Sequence, residues 1–215
     1  MILLTKFIRK VKKYTKSRKD ALLFYKVRKL YDNEYSVNDK CQFIRITDFE
    51  KLEMFSEEKG DVLSNLVNND CKNRFRNGST LIIAMKGKEW VAYGWLAGKS
   101  DFWIAEIDYI IDMSDSKVGM LYDFQTREDY RGLGIYPLLI RYMVQTQPDL
   151  ECLIYCYETN ISSRRGIEKA GGELECKLQH KSKNIADCFS LHHIRVLGSK
   201  YRYFGLKYAK QEGRQ

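Results

Sequence analysis

Residues 118–126 form an apolar run rich in strand formers, which breaks into charge at 127–129 and turns through Arg131-Gly132-Leu133-Gly134. From Pro137 to Val144 the pattern is that of a helix. Strand, glycine turn and helix start in this order constrain the chain more than any other stretch, because together they build an anion site. A helix start leaves backbone N–H groups without partners inside the helix. Glycines let that backbone approach a ligand closely, and the helix dipole favours negative charge by about 0.3–1 kcal/mol at an exposed site. Arg131 adds a forked cation suited to phosphate, and Pro137 fits a first turn, where an N–H is not needed. Read alone, the turn is equally a plain strand-to-helix connection. There is no Gly-x-x-x-x-Gly-Lys-Ser/Thr sequence and no third glycine, which excludes a P-loop and a dinucleotide fingerprint.

Composition sets the frame around this stretch. The chain of 215 residues is 44% hydrophobic and 30% charged, enough for a sizeable core in one domain, with or without an appendage. No apolar run approaches the roughly 18 residues of a membrane-spanning helix, and the apolar block at the start is too short for a signal peptide. The expected location is therefore cytoplasmic, and peripheral at the inner membrane face if the N-terminal segment binds lipid. The six cysteines form no C-x-x-C pair, and the three histidines show no ligand spacing, so no metal is expected. Cys152 and Cys156 lie four apart on an expected strand, hence on one face.

Charge is unevenly placed. Residues 1–35 carry eleven Lys/Arg against three acids, which is +8 of the net +9, so the body is nearly neutral. Leu3, Leu4, Phe7, Ile8, Val11 and Tyr14 fall on one helical face, with Lys6, Arg9, Lys10, Lys12, Lys13 and Lys16 mostly around the rest. Such a segment either lies on an anionic membrane surface or docks on its own domain. It lacks a nucleic-acid reading motif, and no nucleic acid is expected. The expected organisation is a basic amphipathic helical arm over 1–37, a domain over 38–198 and a basic aromatic tail over 199–215. The tail either packs on the core or extends the arm.

Along the body, 42–46 alternates as a strand, and Thr47 or Asp48 caps a helix through Phe55. Asp61 caps another helix that ends near Asn77-Gly78. Residues 81–85 and 90–96 form a hairpin, 102–108 a further strand, and 152–157 the strand after the central helix. A helix near 161–170 and strands near 173–179 and 187–197 complete an α/β (α+β) fold.

Tyr130-Arg131-Gly132-Leu133-Gly134-Ile135 resembles the acyl-CoA pyrophosphate loop of the GNAT superfamily of N-acetyltransferases, whose pattern is Arg/Gln-x-x-Gly-x-Gly/Ala. Arg131 and Gly134 match, and Tyr136 stands where Gly or Ala is usual. Downstream, Asn160, Ser163 and Glu168-Lys169-Ala170-Gly171-Gly172 are similar to the family's Asn-x-x-Ala/Ser…Glu-Lys-x-Gly helix and its glycine end. The two motifs cover about residues 118–175. The wording also resembles bacterial members that modify amino sugars for surface polysaccharide.

The resemblance implies a GNAT-like mixed, mostly antiparallel sheet with helices on both faces, splayed to admit an acyl-CoA. It implies acetyl-CoA as acyl donor, a small-molecule amine as acceptor, and direct attack of the amine on the thioester. Phe124, Gln125 and Thr126 would hold the pantetheine through their backbone. Arg131, Gly132, Leu133, Gly134, Ile135 and Tyr136 would hold the pyrophosphate, with Asn160 and Ser163 on the far side. Asn160 is equally a helix cap. The family's usual tyrosine acid and glutamate base are replaced by Ile167 and Met120. Glu158, at the end of its strand, and Tyr122, on the same face as Met120, are the candidates for taking the amine proton, with Glu106 and Asp108 behind them. Orientation supplies roughly 7–11 kcal/mol against about 3–5 kcal/mol for one acid or base, so the substitutions do not exclude catalysis. A non-catalytic acyl-CoA-binding or membrane-associated scaffold protein is the alternative.

Overall fold

The computed structural model describes residues 21–29, 41–59, 67–98, 101–104, 106, 109–111, 113, 117–180, 194–197 and 206–208. In chain order these contain β1 (Leu22–Val27), β2 (Gln42–Ile46), α1 (Phe49–Lys59), α2 (Asn69–Arg76), β3 (Thr80–Lys86), β4 (Glu89–Ala97), β5 (Phe102–Ile104), β6 (Tyr109–Ile111), β7 (Val118–Thr126), α3 (Ile135–Gln145), β8 (Glu151–Tyr157), α4 (Ile161–Lys169), β9 (Gly172–His180), β10 (Ile194–Leu197) and β11 (Leu206–Tyr208). Eight strands form one sheet in the order β10-β9-β1-β8-β7-β4-β3-β2, and β11-β6-β5 form a small second sheet. Every pairing is antiparallel except β7 with β8. A parallel pair needs a crossover, which α3 supplies.

Side-chain alternation along the strands divides the core. On β8, Cys152, Ile154 and Cys156 face the side covered by α3 and α4, where Leu139, Ile140, Met143 and Ile167 pack. Leu153, Tyr155 and Tyr157 face the opposite side, beneath Phe102, Ile104 and Ile111 of the small sheet. On that same side α1 and α2 cover β2–β4, burying Leu52, Phe75 and Trp95. Helices thus lie on both faces, as the resemblance implies. Cys152 and Cys156 share one face as expected, and the five described cysteines are buried and form no disulfide.

Local signals explain most boundaries. The Lys51 N–H donates to Asp48 Oδ1 at 2.9 Å, so Asp48 rather than Thr47 caps α1. Asn68 caps α2 through the Cys71 N–H at 2.9 Å, and the helix stops at Asn77 and the left-handed Gly78 (φ +76). The expected Asp61 cap lies outside the described residues. The strand expected over 102–108 is cut short, because the chain turns at Glu106 and returns as β6 to pair with β5. Of the C-terminal tail, Leu206–Tyr208 pairs with β6, which ties that piece to the body.

The expected arm over 1–37 is corrected. Residues 22–27 form β1 between β8 and β9, near the middle of the large sheet. Leu22 and Phe24 are buried on one face, and Leu23, Tyr25 and Val27 on the other. A strand buried on both faces reads as a continuous apolar run without alternation, and flanking lysines and arginines hid it in a charge count. Full burial of Leu22 or Phe24 contributes about 1.5–3 kcal/mol each. Residues 1–20, which carry the expected membrane-binding face, lie outside the described residues. Among the described residues no helix is long and apolar enough to cross a membrane.

Candidate active site

The parallel pairing of β7 with β8 runs from Val118↔Glu151 to Leu121↔Ile154 and ends there. Both strands continue, β7 to Thr126 and β8 to Tyr157. Past Leu121, β7 keeps β4 on one edge and loses β8 on the other. The cause is a bulge in β7. Tyr122 pairs with Trp95 and Gln125 with Tyr93, so Asp123 and Phe124 both stand opposite Gly94. Asp123 takes φ +50, a left-handed conformation that Asp tolerates better than most residues. A bulge bends its strand and increases the local twist. It also turns Phe124 onto the helix side of the sheet, where its ring folds over the bare Cα of Gly94; a β-carbon there would collide with the ring. Simple alternation would place Phe124 on the face of Tyr122 instead. The Arg74 guanidinium pairs with the Asp123 carboxylate and lies 5.1 Å from the Trp95 ring and 5.3 Å from the Tyr122 ring.

Below the fork, a short turn at Glu128–Tyr130 leads into Gly132 (φ +79) and Gly134 (φ +78). Nothing lies within 4 Å of a β-carbon at either glycine, so backbone conformation rather than space demands them. Gly134 is the N-cap of α3 and brings no capping side chain. Arg131 Nε donates to the Thr126 carbonyl at 3.3 Å, tying the turn to the strand end. On the far wall Asn160 caps α4, its Oδ1 accepting from the Ser163 N–H and the Ser162 hydroxyl at 3.1 Å each. The Tyr136 hydroxyl lies 3.1 Å from Ser163 Oγ, and its ring meets Phe124 edge-on at 5.2 Å. The strands, the turn and α4 enclose a cleft of about 1070 Å³, large enough for a cofactor.

No protein-family model matches this chain, and no curated protein matches it. Among solved structures it is similar to an acetyltransferase from the GNAT family from Colwellia psychrerythraea, at 13% identity over 73% of this chain and 53% of that one (TM-score 0.48). It is also similar to a putative acetyltransferase from the GNAT family from Novosphingobium aromaticivorans, at 12% identity over 73% of this chain and 60% of that one (TM-score 0.49). A possible acetyltransferase from Clostridium difficile is matched at 10% identity over 68% of this chain and 99% of that one (TM-score 0.43). The chain spans between half and two-thirds of the length of the first two.

Of the expected cofactor-side residues, Phe124, Gln125, Thr126, Arg131, Gly132, Gly134, Ile135, Tyr136, Asn160 and Ser163 all line the cleft, and Leu133 does not. Tyr122 also lines it. Its hydroxyl donates to Ser79 Oγ at 3.0 Å, and burial pushes its ionisation up, so it stays protonated at neutral pH. Glu158, expected to face the acceptor, is not among the lining residues. Both its oxygens accept from Lys177 Nζ, at 2.7 and 2.6 Å, because β8 ends beside β1, which pairs with β9. Met120 and Ile167 are fully buried. Asp108 lies outside the described residues.

Further ionisable groups line the cleft. Glu106 lines the cleft, and its Oε2 accepts from the Tyr155 hydroxyl at 3.0 Å. Burial and then the Glu106 carboxylate hold Tyr155 protonated. Arg165 and Lys169, one turn apart on α4, line the opposite side; their i, i+4 spacing was the available signal. Cys156 lines the cleft too, but burial pushes its thiol to about 11, which leaves little thiolate for an attack of its own.

Proposed function

We propose that the protein is an acyl-CoA-dependent N-acyltransferase that takes acetyl-CoA as donor and a small amine as acceptor. One observation carries this reading: the edge of β7 released at Leu121 runs directly into two left-handed glycines and an uncapped helix start. A released strand edge accepts an extended amide-bearing chain as an added strand, which is what a pantetheine arm is. The helix start accepts a diphosphate. Arg131, Arg165 and Lys169 supply cations for the coenzyme's phosphates.

With the thioester laid along Phe124–Thr126, the amine nitrogen attacks the carbonyl carbon. The C–N bond forms, the C–S bond breaks, and the sulfur leaves as thiolate to become the free thiol. A thiol with pKa near about 8.5 needs little help in leaving. The amine proton goes to the Glu106 carboxylate or to water. The Tyr122 and Tyr155 hydroxyls stay protonated and donate to Ser79 and Glu106, so neither takes the amine proton. The elevated thiol pKa of Cys156 favours direct attack over an acyl-cysteine intermediate.

A non-catalytic acyl-CoA-binding protein is the second reading, favoured by the burial of Met120 and Ile167 where the resembled family has its base and acid. Thiol release from acetyl-CoA with a panel of amines separates the two. Turnover is expected, together with a coenzyme A-dependent rise in melting temperature worth about 2.7 kcal/mol at 100 times Kd. In Gly134→Val, strained at positive φ, most of that rise should vanish. A rise that persists in the variant removes the turn from the site, and binding without turnover on any amine selects the second reading.

A further inference from the structure

The two faces reached by the cleft carry opposite chemistry. On the helix side, Arg131, Arg165 and Lys169 stand against Glu168. On the other side the cleft is lined by Tyr122, Tyr155 and Tyr157, with the Glu106 carboxylate beside Tyr155. Phe102 packs edge-on against Tyr122 and Tyr155, at 5.0 and 6.3 Å, which fixes these rings. Among the described residues no Lys or Arg pairs with Glu106. Arg74 stacks on Tyr122 from outside the lining and is occupied by Asp123.

We propose that this side is an acceptor subsite for a cationic amine that carries an apolar or aromatic body and no anionic group close to the nitrogen. The proposal rests on the acyltransferase reading and names its substrate class. An amine arrives as an ammonium ion, and a carboxylate with a hydrogen-bonded but uncharged partner attracts it. The partly buried Tyr122, Tyr155 and Tyr157 side chains that line this side offer apolar surface to the carbon body next to it. A carboxylate or phosphate a few bonds from the nitrogen meets Glu106 as a like charge, and Arg74, the described cation stacked on Tyr122, is already paired with Asp123. Discrimination by an unfavourable contact of this kind is as effective as an added attraction. The consequence separates this acceptor from amino acids and from amines with a phosphate near the nitrogen.

Tyramine and tyrosine are a matched pair of probes, since they share ring and amine and differ by one carboxylate. Their binding to the full-length protein is measured by calorimetry, with and without saturating coenzyme A, and coenzyme A affinity is measured on the same sample. Tyramine is expected to bind at least about tenfold more tightly than tyrosine. Glu106→Gln should reduce that preference to about threefold or less while coenzyme A affinity is unchanged, and Glu106→Ala repeats the comparison without an amide in the position. Equal binding of the two probes, or a preference that survives both variants, overturns the subsite. Absence of coenzyme A binding with the tyramine preference intact overturns the acyltransferase reading and leaves the subsite standing.

Discussion

The ring of Tyr136 on α3 fills the space above Gly166 on α4, so that a β-carbon at Gly166 would come within 2.7 Å of Tyr136 Cε1. The pair explains two oddities at once. Tyr136 stands where the resembled loop has Gly or Ala, and Gly166 sits inside a helix, where glycine costs about 1 kcal/mol relative to alanine. The glycine makes room for the tyrosine, and the hydrogen bond to Ser163 and the edge contact with Phe124 hold the ring there.

Gly166→Ala should therefore destabilise the protein by about 1–3 kcal/mol through overpacking, although the same change in an open helix stabilises. Tyr136→Ala in the Gly166→Ala background should recover part of the loss, giving a coupling of at least about 1 kcal/mol in urea unfolding. Additive effects, or a stabilising Gly166→Ala, would show that the two residues do not share the space.

The β7 bulge makes a separate prediction. Asp123→Asn keeps a residue that tolerates φ +50 and loses an ion pair that is partly exposed on both sides. It should cost no more than about 1 kcal/mol. Asp123→Val adds the left-handed strain of a β-branched residue and should cost about 1–3 kcal/mol more. Equal losses in the two variants, read by thermal or urea unfolding, would remove backbone strain from the explanation.

Much of this was legible in the sequence. The apolar run at 118–126, the glycine turn and the resumption at Pro137 gave β7, the turn and α3 within a residue or two, because those signals are local. Features that depend on distant partners were hidden. β1 is a central strand without alternation, embedded among lysines. The flip of Phe124 depends on Asp123 adopting a left-handed conformation opposite Gly94, 29–30 positions away in sequence. Glu106 and Tyr155 meet across 49 positions. The pairing of Glu158 with Lys177 was equally hidden, because a strand end next to a cleft looks the same in sequence whether its side chain faces ligand or a neighbouring strand.

Alkaline pH should weaken the fold early. Burial pushes the Tyr93 and Tyr136 hydroxyls to about 12, against an ordinary value of 10.0. As pH rises from about 10 toward 12 the unfolded chain releases these protons while the folded chain holds them, so stability falls across that window. Tyr136→Phe should flatten the fall in urea midpoint between pH 10 and 12. An unchanged slope would mean that this hydroxyl ionises as freely in the fold as outside it.

Hydrogen exchange on the full-length protein, with and without acetyl-CoA, tests the cleft most directly. Acetyl-CoA should slow the amides of residues 124–126 on the released β7 edge and of residues 131–136 in the turn and helix start. Amides in β2 and β3, remote from the fork, should be unaffected. Slowing confined to other segments, or no change at 124–126 and 131–136 under saturating acetyl-CoA, would contradict the assignment of this cleft as the acyl-CoA site.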